Sequence, residues 1–532
     1  MQNARTAHDA TTADASLSRR AFLAAGAGAA AAGLITAGTI SSQARAAESS
    51  AAKDGTAQQA SSSPKYIFLF IGDGMGNEQV QIASFFKGTT ENDGDVVSSP
   101  LSFMEFPTVG SVTTYDSSSF CPDSASTATS IATGHKTLSG TINMDPETLS
   151  TPYETIAEKL HAQKGFKIGV LTTVNMNHAT PAAFYGHQAK RSNYYELGEE
   201  LAASGFEYFA GGAFLAPTGK DEDKDDLRDV VAAAGYTVVE TQADAEALKP
   251  GDGNVLVLSE KTADGDAMNY DLDATEGEWR LADYVDKGIE LLSDAENGFF
   301  LMAEGGKIDW ACHANDAASS IHDVLALDAA VQRAVAFYEE HPAETLVLVT
   351  ADHETGGLGI GFKTTNYDTF LGNLTHQTMS YAKFDADYVA AYRKDKPALA
   401  DVLADVKACF GLMTADDPDA AKAEAAGVNG SLVLSDYELD QLHEAYQRTI
   451  EVGEGAQDEM AQVDYELYGT YQPFSMCLCH ILDQKSGIGH TTYAHTGAPV
   501  NIYALGCGAD QFAGAFDNTQ IYEKLAALTN VQ

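Results

Sequence analysis

Residues of types that commonly bind metal ions lie within or just after four apolar segments of this sequence. The segment YIFLFIG (66–72) leads to an aspartate, and TLVLVTA (345–351) leads to an aspartate and a histidine. FFLMAEG (299–305) and KIGVLTTV (167–174) lead to carboxylates, histidines and a threonine. The residues concerned are Asp73, His178, Thr180, Glu304, Asp309, His313, Asp352 and His353. One carboxylate after a strand usually caps the next helix, but four such groups predict a metal site.

Two of these groups have spacings typical of zinc ligands. Asp309 and His313 are four residues apart, which places both side chains on one face of a helix. Asp352 and His353 are adjacent, and two glycines follow shortly after them. Taken alone, each pair has a simpler explanation as surface or turn residues. The metal hypothesis therefore depends on the groups occurring together.

Ser124 is the candidate nucleophile. It follows Pro122 and Asp123, which interrupt the chain before the small-residue run SASTATSIATG, so the serine is predicted at a helix N-terminus. The free N–H groups and the dipole at that position favour a bound anion. A serine there is ordinarily only a helix cap. Because the sequence offers neither a G-x-S-x-G motif nor an evident His/Asp relay, a nucleophilic Ser124 would require activation by metal.

The elements that must position these residues are apolar runs without alternation, which are typical of strands buried on both faces of a sheet. NVLVLS (254–259) and VNIYALG (500–506) have this character, like the four segments above. Helical stretches separate them, so the sequence predicts an α/β protein with a mostly parallel sheet. In such a sheet the carboxyl ends of the strands meet in one crevice, where ligands bind. Residues of about 360–490 are polar, acidic and helix-prone, and we interpret them as an insertion between core strands.

The charge of the chain excludes some partners. Its 532 residues include 32 Lys+Arg and 76 Asp+Glu, which gives a formal net charge of -44. Such a chain is not expected to bind nucleic acid or anionic lipid. The apolar fraction of 44% is ordinary for a globular protein. An anionic substrate would consequently need a locally positive site.

The first 64 residues have the pattern of an export signal followed by a linker. SRRAFL (18–23) precedes an Ala/Gly-rich apolar run, and ARA (44–46) has the form of a signal-peptidase site. We predict a cleaved twin-arginine-type signal over residues 1–46, a disordered linker over 47–64 and one domain over 65–532. The protein would then be secreted or in the cell envelope, with no membrane span after cleavage. An uncleaved anchor is the alternative, because about 20 apolar residues can just cross a bilayer.

Six motifs occur in the order found in one known family. They are IGDGMG (71–76), PDSASTATSIATG (122–134), NHATPAAFYGHQAKR (177–191), AEGGKIDWACHAND (303–316), VTADHETGGL (349–358) and HTGAPVNIYALG (495–506). Together they resemble the alkaline phosphatase family from Tyr66 to Gly506, with the insertion less clearly covered. The resemblance implies a three-layer α/β/α sandwich with an inserted helical subdomain. It also implies hydrolysis of phosphate monoesters through a phosphoserine at Ser124, and a homodimer, since family members are often dimers.

The same resemblance implies two Zn²⁺ and one Mg²⁺ as cofactors and divides the ligands into three sets. The first zinc set contains Asp309, His313 and His495. The second zinc set contains Asp73, Asp352, His353 and Ser124. The third set, usually for magnesium, contains Asp73, Thr180 and Glu304. Nitrogen and carboxylate donors suit zinc, whereas oxygen donors alone suit magnesium.

Three residues around the expected phosphate position complete this interpretation. Arg191 matches the family's phosphate-binding arginine, whose planar guanidinium binds two oxygens at once. Many bacterial members carry Asp where this chain has His178 and Lys where it has Trp310. A histidine makes the third site less anionic, so zinc or another transition metal suits it as well as magnesium does. Losing the lysine predicts weaker binding of the phosphate product.

Two other classes of function remain compatible with parts of the pattern. A phosphodiesterase of the same superfamily often has threonine in place of Ser124. A sulfatase requires a C/S-x-P-x-R motif, which Cys121-Pro122-Asp123 does not provide. A non-catalytic phosphate-binding or metal-storage protein would not need a nucleophile beside a full ligand set. The sequence therefore favours a phosphomonoesterase.

Overall fold

The computed structural model describes residues 63–424, 431–451 and 462–532. The predicted signal (1–46) and all but the last two residues of the predicted linker (47–64) lie outside these ranges. None of the helices within the described ranges is long and apolar enough to cross a membrane.

A ten-stranded sheet forms the centre of the described chain, and three two-stranded sheets accompany it. The strands are Tyr66–Gly72 (β1), Thr108–Thr113 (β2), Lys167–Asn175 (β3), Tyr208–Gly212 (β4), Thr237–Val239 (β5), Val255–Leu258 (β6), Thr262–Ala263 (β7), Ala267–Met268 (β8), Phe299–Gly305 (β9), Thr345–Ala351 (β10), Glu354–Thr355 (β11), Gly359–Ile360 (β12), Ile488–Gly489 (β13), His495–Thr496 (β14), Val500–Gly506 (β15) and Gly514–Asp517 (β16). The order in the central sheet is β16-β2-β15-β10-β1-β9-β3-β4-β6-β5. Within it β15 runs antiparallel to β2 and β10, and the other described pairings are parallel. The predicted α/β fold with a mostly parallel sheet is confirmed.

Helices outside the segment of about 360–490 pack around the sheet and complete the three-layer α/β/α arrangement, and further helices lie within that segment. In chain order the described α-helices are Asn77–Glu91 (α1), Ser124–Thr133 (α2), Ile156–Lys159 (α3), Ala179–Ala182 (α4), Tyr194–Ser204 (α5), Leu227–Ala233 (α6), Gln242–Ala247 (α7), Leu281–Leu292 (α8), Lys307–His313 (α9), Ala317–Glu340 (α10), Tyr381–Phe384 (α11), Ala390–Asp395 (α12), Leu399–Phe410 (α13), Ala420–Glu424 (α14), Asp436–Glu451 (α15), Gln462–Tyr468 (α16), Pro473–Ser486 (α17) and Thr519–Thr529 (α18). One layer contains α10, which packs against α1, α8 and the strands β1, β9 and β10. Another contains α2, which packs against α4 and α18.

The strand register aligns the ends of the central strands. β1 lies between β9 and β10, and Gly72 at the end of β1 pairs with Gly305 and with Ala351. Every residue of these three strands is buried, as expected for continuous apolar runs covered on both faces. Asp73 and Asp352 therefore follow neighbouring strand ends at the same level of the sheet.

The segment interpreted as an insertion begins and ends at a small two-stranded sheet. β12 pairs antiparallel with β13, through Gly359 with Gly489 and Ile360 with Ile488, so the chain leaves and re-enters the core at one place. The described residues between these strands form helices α11 to α17 and no strand of the central sheet. Aromatic side chains hold these helices together, since the Phe474 ring packs against Phe384 and Tyr446.

Candidate metal centre

Metal-ligating side chains collect at the carboxyl ends of β1, β9 and β10. One set, called here the Asp73 group, corresponds to the predicted second zinc set. It contains Asp73, Asp352 and His353, whose ligand atoms lie within 4.8 Å of one another. Nε2 of His353 is 3.3 Å from Oδ1 of Asp73 and 3.3 Å from Oδ2 of Asp352. All three side chains are buried. Two carboxylates and an imidazole at these separations can surround a zinc ion.

Another set, called here the Asp309 group, corresponds to the predicted first zinc set and contains Asp309, His313 and His495. Nε2 of His495 is 3.6 Å from Oδ1 of Asp309 and 3.0 Å from Nε2 of His313. Asp309 and His313 lie one turn apart on α9, with Oδ2 and Nε2 3.3 Å apart, as their spacing predicted. Ligand atoms of Asp309, His353 and His495 also lie within 4.8 Å of one another, so His353 faces both groups.

His495 precedes a strand instead of following one, so the pattern of apolar strands did not connect it with the metal site. The short strand β14 contains His495 and pairs with β11, which directly follows His353. Nδ1 of His495 is 2.5 Å from the carbonyl oxygen of Pro122, so the ring is also held against the segment that precedes Ser124. This pairing of β11 with β14 brings the two ends of the insertion to the metal centre.

Threonine hydroxyls orient the carboxylates of both groups. Thr355 donates to Oδ1 of Asp309 at 2.6 Å, and Thr127 on α2 donates to Oδ2 of Asp352 at 3.1 Å. The N–H of Gly74 donates to the other oxygen of Asp352 at 3.3 Å. Sequence analysis did not predict these threonines. Both threonines lie inside motifs on which the family resemblance rests, and this position is the signal that could have indicated them.

Glu304 and Thr180 lie beside Asp73, and with it they form the third set of candidate ligands. Thr180 donates to Oδ2 of Asp73 at 3.4 Å, and Thr172, which was not predicted, donates to Oε2 of Glu304. Oε1 of Glu304 is buried and has no hydrogen-bond partner among the described residues. A buried carboxylate oxygen without a partner costs free energy, which a bound cation offsets. These oxygen donors fit a hard cation such as magnesium.

Burial controls the protonation of the carboxyl groups in this centre. Burial, followed by the charge of Asp309, raises the pKa of Asp352 to about 8. Burial likewise raises the pKa of Glu304 to about 7, and it raises that of Asp73 well above its usual range. Burial opposes ionisation of Asp309 as well, but the charge and hydrogen bond of His313 together with the charges of His495 and His353 outweigh it and lower the pKa of Asp309 well below the usual value. Bound cations would favour the ionised form of all four carboxylates.

Without metal ions, Glu304 and Asp352 are expected to contribute stability that is lost as the pH rises from about 4 to about 8. Without ions, Glu304 and Asp352 keep their protons in the folded state up to about 7 and about 8, because burial raises both pKa values. The unfolded chain releases the same protons near pH 4 and so binds fewer protons across this range. The contribution of these two carboxyl groups to the free energy of unfolding therefore decreases as pH rises, whereas buried histidines with lowered pKa values, such as His178, act in the opposite direction below about pH 6.5. Thermal unfolding of chelator-treated protein at pH 5 and pH 8 measures the decrease.

Metal-loaded protein is the control, because cations hold these carboxylates ionised in the folded state and so remove their contribution, while buried histidines away from the site, such as His480 and His490, contribute equally in both samples. In chelated protein, Glu304→Gln should reduce the pH dependence by removing one of the titrating groups. A chelated protein that is as stable at pH 8 as at pH 5, relative to the loaded protein, would contradict this explanation.

Ser124 is the first residue of α2 and lies beside the Asp73 group. Its Oγ is 3.2 Å from Nε2 of His353, and the side chain is buried. Asp123 caps the helix, since its Oδ1 accepts from the N–H of Ser126 at 3.1 Å. The simpler explanation of Ser124 as a helix cap is therefore wrong. Its hydroxyl instead faces the metal ligands at a helix N-terminus that favours anions.

Arg191 is held beside this helix N-terminus by two contacts. Its Nη1 donates to Oδ2 of Asp123 at 3.0 Å, and its Nη2 donates to Nε2 of His178 at 3.1 Å. Burial, followed by the charge of Arg191, lowers the pKa of His178 to about 3, so this imidazole is neutral and accepts the hydrogen bond. A guanidinium fixed here supplies the locally positive site that an anionic substrate needs in so acidic a chain.

Trp310 and His178 pack against each other next to Arg191. Their ring centroids are 6.0 Å apart and the rings are steeply inclined, at 74°. Position 310 carries no charge, but the ammonium of Lys307, one turn earlier on α9, lies 4.3 Å from the centroid of the Trp310 ring. Sequence analysis did not predict Lys307 as a site residue.

The structure brings all the predicted site residues into one connected cluster. They are Asp73, Ser124, His178, Thr180, Arg191, Glu304, Asp309, Trp310, His313, Asp352, His353 and His495. The fold supplies strand ends at one edge and a helix N-terminus above them. Such a sheet, with two groups of metal ligands around a buried serine, defines a metal-dependent hydrolase.

Comparison with known proteins places the chain more narrowly. The family model described as alkaline phosphatase matches residues 64–531, which is most of the chain. The chain therefore belongs to the alkaline phosphatase family, as its ordered motifs predicted.

Individual relatives agree with this placement over nearly the whole described chain. Alkaline phosphatase 3 of Bacillus subtilis is 29% identical over 467 residues, covering 86% of this chain and 87% of the relative. The alkaline phosphatase of Schizosaccharomyces pombe is 26% identical over 493 residues, covering 88% and 82%. The structure is similar to that of a cold-active alkaline phosphatase from a Shewanella species, with 28% identity, a TM-score of 0.67 and coverage of 87% and 99%. An alkaline phosphatase from Thermus thermophilus shares the fold at 24% identity, with a TM-score of 0.69 and coverage of 90% and 94%.

Proposed function

We propose that this protein hydrolyses phosphate monoesters to an alcohol and inorganic phosphate, with Ser124 as nucleophile and a phosphoserine as intermediate. The observation that carries the proposal is the 3.2 Å contact between Oγ of Ser124 and Nε2 of His353. Because His353 faces both ligand groups, this contact supports activation of the hydroxyl by metal rather than by a general base. Membership in the alkaline phosphatase family supports the same reaction.

The proposed cofactors are two Zn²⁺ and one Mg²⁺. The first zinc is assigned to Asp309, His313 and His495, and the second to Asp73, Asp352, His353 and Ser124. The third ion is assigned to Asp73, Thr180 and Glu304. The donor types support this division, because the first two sets contain imidazoles and the third contains oxygens only. Nδ1 of His178 has no hydrogen-bond partner in the described chain, and a nitrogen near the third set lets a transition metal compete with magnesium there.

The chain's own residues divide the reaction into two displacements. Oγ of Ser124 attacks phosphorus, so that an O–P bond forms while the bond to the departing alcohol breaks and that alcohol takes up the proton that Ser124 has lost. When bound, the zinc ions supply the Lewis acidity that favours the ionised serine and the departing oxygen. The guanidinium of Arg191 donates to the phosphoryl oxygens and offsets their charge. Water then attacks the phosphoserine, the bond from phosphorus to Oγ breaks, Ser124 regains its proton and phosphate leaves.

Export and assembly are part of the proposal. We infer a twin-arginine-type signal over 1–46, a linker over 47–64 and an alkaline phosphatase domain over 65–532, with the insertion at about 360–490. The SRRAFL motif and the apolar run after it support export to the cell envelope or the medium. A homodimer is inferred from the family resemblance. Replacing both arginines of the motif with lysine should retain the enzyme inside the cell, which fractionation of activity measures.

Phosphatase activity separates this proposal from its two rivals in one assay. We expect rapid hydrolysis of p-nitrophenyl phosphate, slow hydrolysis of bis(p-nitrophenyl) phosphate and loss of both after treatment with a chelator. The reason is that the ester oxygen leaves from a site built of metal ligands, while Arg191 binds a terminal phosphate. Faster hydrolysis of the diester would indicate a phosphodiesterase. Phosphate binding without hydrolysis by the metal-loaded protein would indicate the non-catalytic class.

A further inference from the structure

Lys307 is a buried lysine whose ammonium lies between two aromatic rings. Its side chain is 0% exposed, and Nζ is 3.8 Å from the centroid of the Tyr270 ring and 4.3 Å from that of Trp310. Nζ makes no hydrogen bond to the described residues, and the carboxylate of Asp264 is 3.5 Å away. An ammonium removed from water needs compensation, which the faces of the two rings and the carboxylate provide.

The turn that contains Asp264 also encloses Trp310. The three residues Asp264–Asp266 form a short helical turn, and the middle one, Gly265, has a positive φ of 62°. A Cβ at Gly265 would lie 3.6 Å from Cη2 of Trp310, so the turn closes against the edge of the indole ring. The indole therefore has this turn at its edge and the Lys307 ammonium near its ring.

Trp310 connects Lys307 to the proposed phosphate site. Lys307 and Trp310 lie one turn apart on α9, and Trp310 packs against the ring of His178. Nε2 of His178 in turn accepts from Nη2 of Arg191 at 3.1 Å. Two side chains thus separate the buried ammonium from the guanidinium that is proposed to bind phosphate.

We propose that Lys307 is a positioning residue, which holds Trp310 through a cation–π contact and thereby keeps His178 and Arg191 in their phosphate-binding arrangement. The proposal rests on the role given to Arg191 above. Loss of the ammonium frees the indole and loosens the contact of His178 with Arg191. Binding of substrate and of phosphate should weaken, whereas the chemical step at Ser124 should change little.

The primary test compares Lys307→Met with the wild type at pH 7, using metal-loaded protein. Methionine keeps the length and apolar character of the side chain and removes its charge. We expect KM for p-nitrophenyl phosphate and the inhibition constant for phosphate to rise together by about threefold to tenfold, the range that one cation–π contact supports. The kcat should change by less than about twofold, because Lys307 does not contact Ser124. Lys307→Arg, which retains a cation, should restore both binding constants.

Lys287 provides a matched control, because it is also a buried lysine. It is 7% exposed on α8, and its ammonium donates to the carbonyl oxygen of Leu248 and to Glu290 instead of lying on a ring. Lys287→Met should lower the melting temperature and leave KM and the phosphate inhibition constant unchanged. An equal rise of KM in both variants would mean a general loss of stability and would overturn the proposal.

Fluorescence reports on Trp310 directly, because the chain contains two tryptophans. In a Trp279→Phe background Trp310 is the remaining indole, so removing the nearby ammonium with Lys307→Met should shift its emission maximum and change its intensity. Lys307→Arg should preserve most of the original spectrum. An unchanged spectrum together with unchanged binding constants would overturn the proposal.

A second pair of variants applies if Lys307→Met does not fold. Trp310→Phe keeps a ring for the ammonium and should raise KM less than Trp310→Leu does, and equal KM values in these two variants would overturn the proposal. Arg191→Ala separates this inference from the proposed function. A normal KM in Arg191→Ala would overturn the role of Arg191 and this inference with it but not the nucleophilic role of Ser124, whereas a raised KM there with a normal KM in Lys307→Met would overturn only the role of Lys307.

Discussion

In a Ser124→Ala variant, turnover of p-nitrophenyl phosphate is expected to fall by more than about 1,000-fold, the scale on which removal of a nucleophile acts. Alanine removes Oγ, the atom proposed to form the bond to phosphorus. In the wild type this oxygen lies 3.2 Å from Nε2 of His353. The N-terminus of α2 should survive, because Asp123 rather than Ser124 caps it. Steady-state kinetics and metal analysis of the same preparation measure the loss and show that the ligand groups persist.

Ser130 is the matched control on the same helix. It is buried, and its hydroxyl donates to the carbonyl oxygen of Ser126 at 3.0 Å, away from the metal ligands. Ser130→Ala should keep its turnover and lose about 1 kcal/mol of stability at most. Wild-type turnover in a folded Ser124→Ala protein would contradict the proposed mechanism.

A His353→Ala variant is expected to lose metal from the Asp73 group and to lower kcat/KM by more than about 100-fold. His353 is 0% exposed, and its Nε2 lies 3.3 Å from a carboxylate oxygen of Asp73 and of Asp352. Burial, followed by the charge of His495, keeps the pKa of His353 well below its usual value, so the ring is neutral and available as a ligand. Elemental analysis of the purified variant and its kcat/KM are the two measurements.

His322→Gln is the control for this substitution. His322 lies on α10, where its Nδ1 is 4.0 Å from Oδ2 of Asp271, and it takes no part in either ligand group. That variant should keep both its metal content and its kcat/KM. Full metal content in His353→Ala would contradict the assignment of His353 as a ligand in the Asp73 group.

The central strands could be predicted because burial on both faces leaves a direct trace in the sequence. The bounds of β1, β9, β10 and β15 coincide with the four apolar runs YIFLFIG, FFLMAEG, TLVLVTA and VNIYALG. Each side chain in the first three runs is buried, and apolar residues dominate each run even though Glu304 and Thr350 are polar. The apolar run alone was therefore sufficient to predict each of these strands.

The strands β2, β4, β5 and β16 were not predicted, for two physical reasons. β2 (TVGSVT) and β16 (GAFD) carry exposed residues and therefore lack a continuous apolar run. β4 (YFAGG) ends in two glycines, and β5 has three residues, none of them buried. Their places in the sheet depend on pairing with distant strands, which local composition does not encode.

The ligand residues could be predicted because parallel strands end at one edge of a sheet, and because Asp309 and His313 have a helical spacing. The side chains that orient them could not. Thr127 and Asp352 are 225 positions apart, and no local pattern signals that one hydroxyl will meet that carboxylate. Lys307 illustrates the same limit, since its spacing from Trp310 is visible in the sequence but the approach of Tyr270 to its ammonium is not.

Acid quenching of the metal-loaded enzyme during turnover of p-nitrophenyl phosphate, followed by peptide mass spectrometry, tests the central claim most directly. The proposal predicts a single phosphoryl group on the peptide that contains Ser124, localised to that hydroxyl and absent after treatment with a chelator. A phosphoryl group on another residue would contradict it. So would continued hydrolysis by an enzyme in which Ser124 has been replaced by alanine and no phosphopeptide forms.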